Sequence, residues 1–213
     1  MRTRPWAKDH RLILASASPR RRMLLAQVGV PYDVMESRVE EARERLDATP
    51  EGHVMEAAAR KALDVALRAG HGIVLGADTI VHLDGEILGK PHTAREARAM
   101  LQYLSGRTHV VYTGLALARA QDERLKSVDG GPARDAMALV DYEATEVTMR
   151  ELSRREISAY VDTGEPMDKA GAYAIQGRGA VLVAGIKGCY FNVVGLPLAK
   201  LATLLGQLGL NVL

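Results

Sequence analysis

The chain has 213 residues, of which 47% are hydrophobic and 25% charged, with a net charge of +2. That composition is ordinary for a globular protein and argues against disorder, and so small a charge makes no electrostatic case for a nucleic-acid binder. A single cysteine, Cys189, excludes a disulfide framework or a cysteine zinc site within one chain, and with no long apolar run or signal-peptide core a cytoplasmic protein without a membrane span is expected.

"LILAS" reads as a short buried strand at about 11–15. "SPRRRMLLAQVG" follows as a helix at about 19–28, with Ser18 as N-cap, Pro19 at the first helical position and Gly29 as the stop. Its first turn carries Arg20, Arg21 and Arg22. A helix N-terminus already bears about +0.5 charge, so cations there are unfavourable unless something negative binds. "YDVMES" is a second strand, and a long helix covers about 50–69 between the Thr49 cap and Gly70. "GIVLGADTIVHLDGEILGKP" reads as a strand and hairpin turning at Asp84-Gly85. "TAREARAMLQYLSG" is a helix with a capping box of Thr93 and Glu96. "THVVYTGLALARA" and "RDAMALVDYEATEVTM" alternate as two long strands, joined by an exposed polar segment at about 121–133. "SRREISAYVDTG" is a helix with a second capping box, Ser153 and Glu156. "AVLVAGI" and "FNVV" read as strands, and "LPLAKLATLLGQLG" closes the chain as a helix. Crossover and hairpin connections together imply an α/β fold with a mixed sheet.

The arginine run reads as a solvated basic face or as an anion site. Its place at a strand-to-helix turn favours the second, because unpaired backbone N–H groups and the helix dipole reinforce the guanidinium groups. The small residues Ala15, Ser16, Ala17 and Ser18 let a phosphate approach the backbone. The turn is neither a P-loop nor a GxGxxG loop. Asp78 interrupts an apolar strand, where a carboxylate is costly unless paired, metal-bound or capping a turn. Glu40 and Glu41 read as a solvated loop or as hard oxygen ligands alongside Asp78. Taken alone, Lys61 and Lys90 are ordinary surface lysines. "GEPMDKAGAYAIQGRG" reads as an ordered, close-packed loop of the kind that holds sites, with Asp168, Lys169 and Gln176 in it. The six histidines form no metal or triad pattern.

"SASPRRRMLL", "GADTIV" followed by "LGKP", "DKAGAYAIQG" and "VVGLP", in this order and at these spacings, resemble the Maf family of nucleoside triphosphate pyrophosphatases, also called septum-formation inhibitors. The resemblance implies a single Maf-like domain over 1–213. The implied fold is like that of inosine triphosphate pyrophosphatases: an elongated mixed β-sheet flanked by helices, two lobes around a cleft. It implies cleavage between the α- and β-phosphates, dependent on Mg²⁺ or Mn²⁺, and a homodimer. Residue by residue, Ser16, Arg20 and Arg21 belong to the implied phosphate-binding turn, and Lys61 and Lys90 face the phosphates. Asp78 is the implied catalytic carboxylate, Glu41 and Asp78 the implied metal ligands, and Arg20, Thr79 and Gln176 the positions of substrate choice.

Uracil and thymine present an N3–H donor beside an O4 acceptor, which one glutamine amide meets at both ends. Guanine presents two adjacent donors, which suit a carboxylate. The Maf branch that prefers 7-methyl-GTP resembles this pattern with Glu in place of Gln176, whereas "DKAGAYAIQG" resembles the branch acting on dTTP and UTP. Hydrolysis of dTTP and UTP in nucleotide-pool sanitation is therefore the leading expectation. The second is a nucleotide- or nucleic-acid-binding regulator of septum formation without turnover. An aromatic content of 4% leaves that reading few stacking platforms for nucleic acid.

Overall fold

The structure is a computed structural model that describes residues 12–39, 49–120 and 137–213. Glu40, Glu41 and the expected connection at 121–133 lie outside the described residues. Among the described residues there are seven strands: β1 (Leu12–Leu14), β2 (Tyr32–Val34), β3 (Ile73–Leu83), β4 (Glu86–Leu88), β5 (Thr108–Arg119), β6 (Met137–Met149) and β7 (Val183–Lys187). The α-helices among the same residues are α1 (Pro19–Gln27), α2 (Pro50–Arg68), α3 (Ala94–Leu104), α4 (Arg154–Val161), α5 (Tyr190–Val194) and α6 (Leu198–Gln207). The sheet runs β2-β1-β3-β5-β6-β7, with β4 paired to β3. It is mixed, as expected: β1 is parallel to β2 and to β3, while β3–β4 and β6–β7 are antiparallel. No helix among the described residues is long and apolar enough to cross a membrane.

Two compact units divide the chain. The first comprises Met1–Asp78, Thr113–Tyr142 and Gly195–Leu213, and the second Thr79–Tyr112 and Glu143–Val194. The long strands β3, β5 and β6 each contribute one half to each unit. In the first unit, Ile13, Ala15 and Val74 pack against Ala58, Ala62, Val65 and Ala66 of α2. Alanines alone do not explain how closely α2 lies on the strands. A Cβ on Gly76 of β3 would stand 2.1 Å from the Ala58 carbonyl oxygen, and one on Gly114 of β5 would stand 2.1 Å from that of Val54. Both positions must lack a side chain for the helix backbone to rest on the sheet. In the second unit the core joins Val81, Leu83 and Leu88 to Leu101 and Leu104 of α3, Ile157 and Tyr160 of α4, and Tyr173.

The β3–β4 hairpin turns at Asp84 and Gly85, both at positive φ (51° and 86°), as a two-residue hairpin loop of the favoured handedness requires. The Ser153–Glu156 capping box forms in full. At Thr93 only half of the expected box forms: Thr93 caps Glu96 N–H, but the Glu96 carboxylate accepts from the His92 N–H instead of that of Thr93. "FNVV", expected as a strand, lies in α5. Short apolar runs fit either state, and here Asn192 N–H and Val193 N–H both turn back onto the Cys189 carbonyl. "AVLVAGI" divides: Gly177–Leu182 is a 3-10 turn, held by Arg150 N–H on the Leu182 carbonyl, and the strand begins at Val183.

Candidate active site

In the first unit the arginine turn starts where β1 ends. Ser18 stands at the N-cap position of α1 in extended backbone, but its side chain makes no capping bond. Its N–H donates instead to Ser16 Oγ at 3.2 Å. Arg21 folds inward and is 9% exposed. Its Nη1 donates to Ser16 Oγ at 3.0 Å and its Nε to the Gly195 carbonyl at 2.8 Å. The arginine therefore ties the turn to the "VVGLP" segment, a contact that its expected place in a phosphate-binding turn did not contain. Arg22 sits at the surface, paired with Glu36. Arg20 is half-buried on the same turn.

Asp78 and Lys61 meet across the first unit. Gly76 and Asp78 lie two residues apart on β3 and so share a face of the sheet. That face receives α2: the Cβ missing at Gly76 would also stand 2.8 Å from Ala62 N, next in sequence to Lys61. The close seat of the helix brings Lys61 Nζ to 2.5 Å from Asp78 Oδ1, with each side chain 15% exposed. A carboxylate inside an apolar strand pattern is thus compensated by an ammonium, one of the alternatives open from sequence. Among the described residues no three His, Cys, Asp or Glu side chains gather as a ready metal cage.

The remaining expected residues belong to the second unit. Thr79 follows Asp78 in β3 and is half-buried. Lys90 is exposed just after β4, beside Gly89, whose carbonyl accepts from Gly171 N–H at 3.0 Å. Gln176 is half-buried in extended backbone at the head of the Gly177–Leu182 turn. Its segment is ordered as expected: 3-10 turns cover Glu165–Asp168 and Ala170–Ala172, and Gly171 and Ala172 both adopt positive φ.

Sequence reasoning passed over the residues beneath this loop. His109 is 1% exposed, and its Nε2 lies 2.7 Å from Tyr173 Oη. Burial lowers its pKa to about 4, so the ring is neutral near pH 7. Its Nδ1 has no hydrogen-bond partner among the described residues. Burial likewise pushes the phenols of Tyr160 and Tyr173 up. Burial acts to raise the Glu165 carboxyl, but the backbone N–H groups of Gly179 and Arg178, with the Tyr160 hydroxyl, outweigh it and hold that group below its usual range. The available signal was alternation in "THVVYTG", which puts His109 on the inward face with Val111.

Residues 11–208 match the model of a family described as Maf-like protein. The chain is 50% identical over 202 residues to a protein of Moorella thermoacetica named dTTP/UTP pyrophosphatase, covering 95% of this chain and 97% of that one. It is 51% identical over 198 residues to a protein of the same name from Symbiobacterium thermophilum, covering 93% and 94%. Among solved structures, a HAM1 protein from Coxiella burnetii is similar over 94% of this chain and 96% of that one, with 17% identity and a TM-score of 0.46.

Proposed function

The chain belongs to the Maf family, and from that membership we infer that it is a nucleoside triphosphate pyrophosphatase that hydrolyses dTTP and UTP to the nucleoside monophosphate and pyrophosphate. The observation that carries the reading to particular atoms is the half-buried pair of Asp78, in the motif "GADT", with Lys61 of α2. Asp78 is the proposed catalytic carboxylate, orienting the attacking water and accepting its proton. Lys61 fixes the direction of that carboxylate with one of its three N–H donors and offers the others to phosphate oxygens. Ser16, Arg20, Arg21 and Lys90 supply the further positive and N–H groups that phosphoryl chemistry uses for positioning and charge stabilisation.

The oxygen donor at Asp78 suits a hard divalent cation. Mg²⁺ is commonly held by one or two carboxylates together with substrate phosphates, so a site with few protein ligands fits it. Asp78 and Glu41 are the proposed ligands, and Mg²⁺ or Mn²⁺ bound there would neutralise charge on the departing pyrophosphate. Thr79, Arg20 and Gln176 are proposed to choose the base, with the Gln176 amide accepting from N3–H and donating to O4. The homologues' names and the glutamine in "AIQG" support pyrimidines with that edge.

Pyrophosphate release from dTTP, UTP, CTP and 7-methyl-GTP tests the reading directly. Turnover should favour dTTP and UTP over CTP. Gln176→Glu should lower the dTTP to 7-methyl-GTP ratio of kcat/KM by roughly tenfold to a hundredfold, as expected for a mismatched buried hydrogen bond. A wild-type preference for the guanine nucleotide, or an unchanged ratio in the variant, would remove Gln176 from base reading.

A further inference from the structure

Gln176 has no regular element to hold it, yet the chain on each side of it is anchored to one of two hydrogen-bonded side chains. The Glu165 carboxylate accepts from Gly179 N–H at 2.9 Å and from Arg178 N–H at 3.1 Å, on the downstream side. It also accepts from the Tyr160 hydroxyl at 3.0 Å. That hydroxyl in turn accepts from Ala174 N–H at 3.2 Å, on the upstream side. Glu165 is itself fixed at both ends of its residue: its N–H donates to Thr163 Oγ1 at 3.1 Å, and its carbonyl accepts from Lys169 Nζ at 2.6 Å. Tyr160 is buried in the second unit's core on α4.

The two glycines of "QGRG" record how closely this anchor presses on the loop. A Cβ on Gly177, at φ 65°, would lie 2.8 Å from Glu165 Oε2. A Cβ on Gly179 would lie 2.3 Å from the Ala174 carbonyl and 2.6 Å from the Tyr160 hydroxyl oxygen. The backbone on either side of Gln176 is thus wrapped against one carboxylate and one phenol.

We propose that Glu165 and Tyr160 are specificity-positioning residues: their hydrogen bonds to Ala174, Arg178 and Gly179 hold the Gln176 amide in the one orientation that discriminates uracil and thymine from cytosine. Neither residue touches the nucleotide in this scheme. A glutamine amide whose backbone rotates offers donor and acceptor in either sense, and cytosine is the base that gains from the reversal. The proposal rests on Gln176 reading the base.

The test compares kcat/KM for dTTP and for CTP in wild type, Glu165→Gln, Tyr160→Phe and Gln176→Glu, each assayed well below its melting temperature. Glu165→Gln removes one acceptor from the anchor, and Tyr160→Phe deletes a single oxygen while keeping the ring in the core. Both should lower the dTTP to CTP ratio by roughly tenfold, the scale of one unsatisfied buried polar group, through a raised KM for dTTP and a lowered KM for CTP. If Glu165→Gln does not fold, Tyr160→Phe decides. A lowered melting temperature with an unchanged ratio in these variants, while Gln176→Glu shifts it, would make the anchor merely structural and overturn the proposal. An unchanged ratio in Gln176→Glu as well would overturn base reading itself, and the proposal with it.

Discussion

The two units hold their candidate functional groups by opposite means. In the first, Asp78 and Lys61 stand on a long strand and a long helix, and opposite charges meet at 2.5 Å. In the second, Gln176 stands on an irregular loop whose backbone N–H groups donate to the Tyr160 hydroxyl and the Glu165 carboxylate, over a buried neutral histidine. Regular elements position charge through packing distance, whereas the loop is positioned one backbone N–H at a time. Damage to the first unit should therefore register in turnover, and damage to the second in substrate choice and in acid sensitivity.

The sharpest break is Asp78→Asn, which should lower pyrophosphate release by roughly 10²–10⁴-fold, the range of a positioned acid or base. Removal of an unpaired buried carboxylate would stabilise the fold. The pairing with Lys61 cancels that gain, so the melting temperature should not rise. Near-wild-type turnover would end the assignment.

Gly76→Ala attacks the same pair through the backbone. A Cβ 2.1 Å from the Ala58 carbonyl oxygen must push α2 off β3. A loss of about 3 kcal/mol or more in urea unfolding is expected, with reduced turnover in whatever folds. A stable, active variant would show that the seat of α2 does not set the Lys61–Asp78 distance.

The second unit should be the acid-sensitive one. His109 has a folded pKa of about 4 against an ordinary 6.5, so the unfolded chain binds its proton first as pH falls. Its contribution is full above about pH 6.5 and is lost as pH drops toward 4. The loss should reach about 2–3 kcal/mol. Urea midpoints of wild type and His109→Gln between these limits check it: the variant should lack this part of the slope, and parallel curves would count against a buried neutral ring.

The smallest effect separates two neighbours on one helical turn. Arg21→Ala deletes bonds to Ser16 and to the Gly195 carbonyl and should cost about 1–3 kcal/mol. Arg20→Ala should weaken triphosphate binding with stability equal or slightly raised, since a cation leaves a helix N-terminus. From sequence alone both arginines are expected to behave like Arg20. Equal melting temperatures in the two variants would restore that symmetry.

What the sequence determined by itself follows from local rules. Periodicity marks α2, α3 and the long strands, the Asp84-Gly85 dipeptide marks the hairpin, and the order of motifs marks the family, because each is written in consecutive residues. The wrong strand at "FNVV" shows the limit of such rules, since a short apolar run has no period to read and Asn192 finds its partners on β5 and β6. Tertiary structure alone decided that Arg21 turns inward, that Lys61 rather than another cation faces Asp78, and that His109, Tyr160 and Glu165 underlie the loop of Gln176. These outcomes depend on hydrogen bonds and packing distances between residues far apart in the chain, such as the 174 positions between Arg21 and Gly195. A pattern of residue types carries no distance of that kind, and only the seat of one backbone against another supplies it.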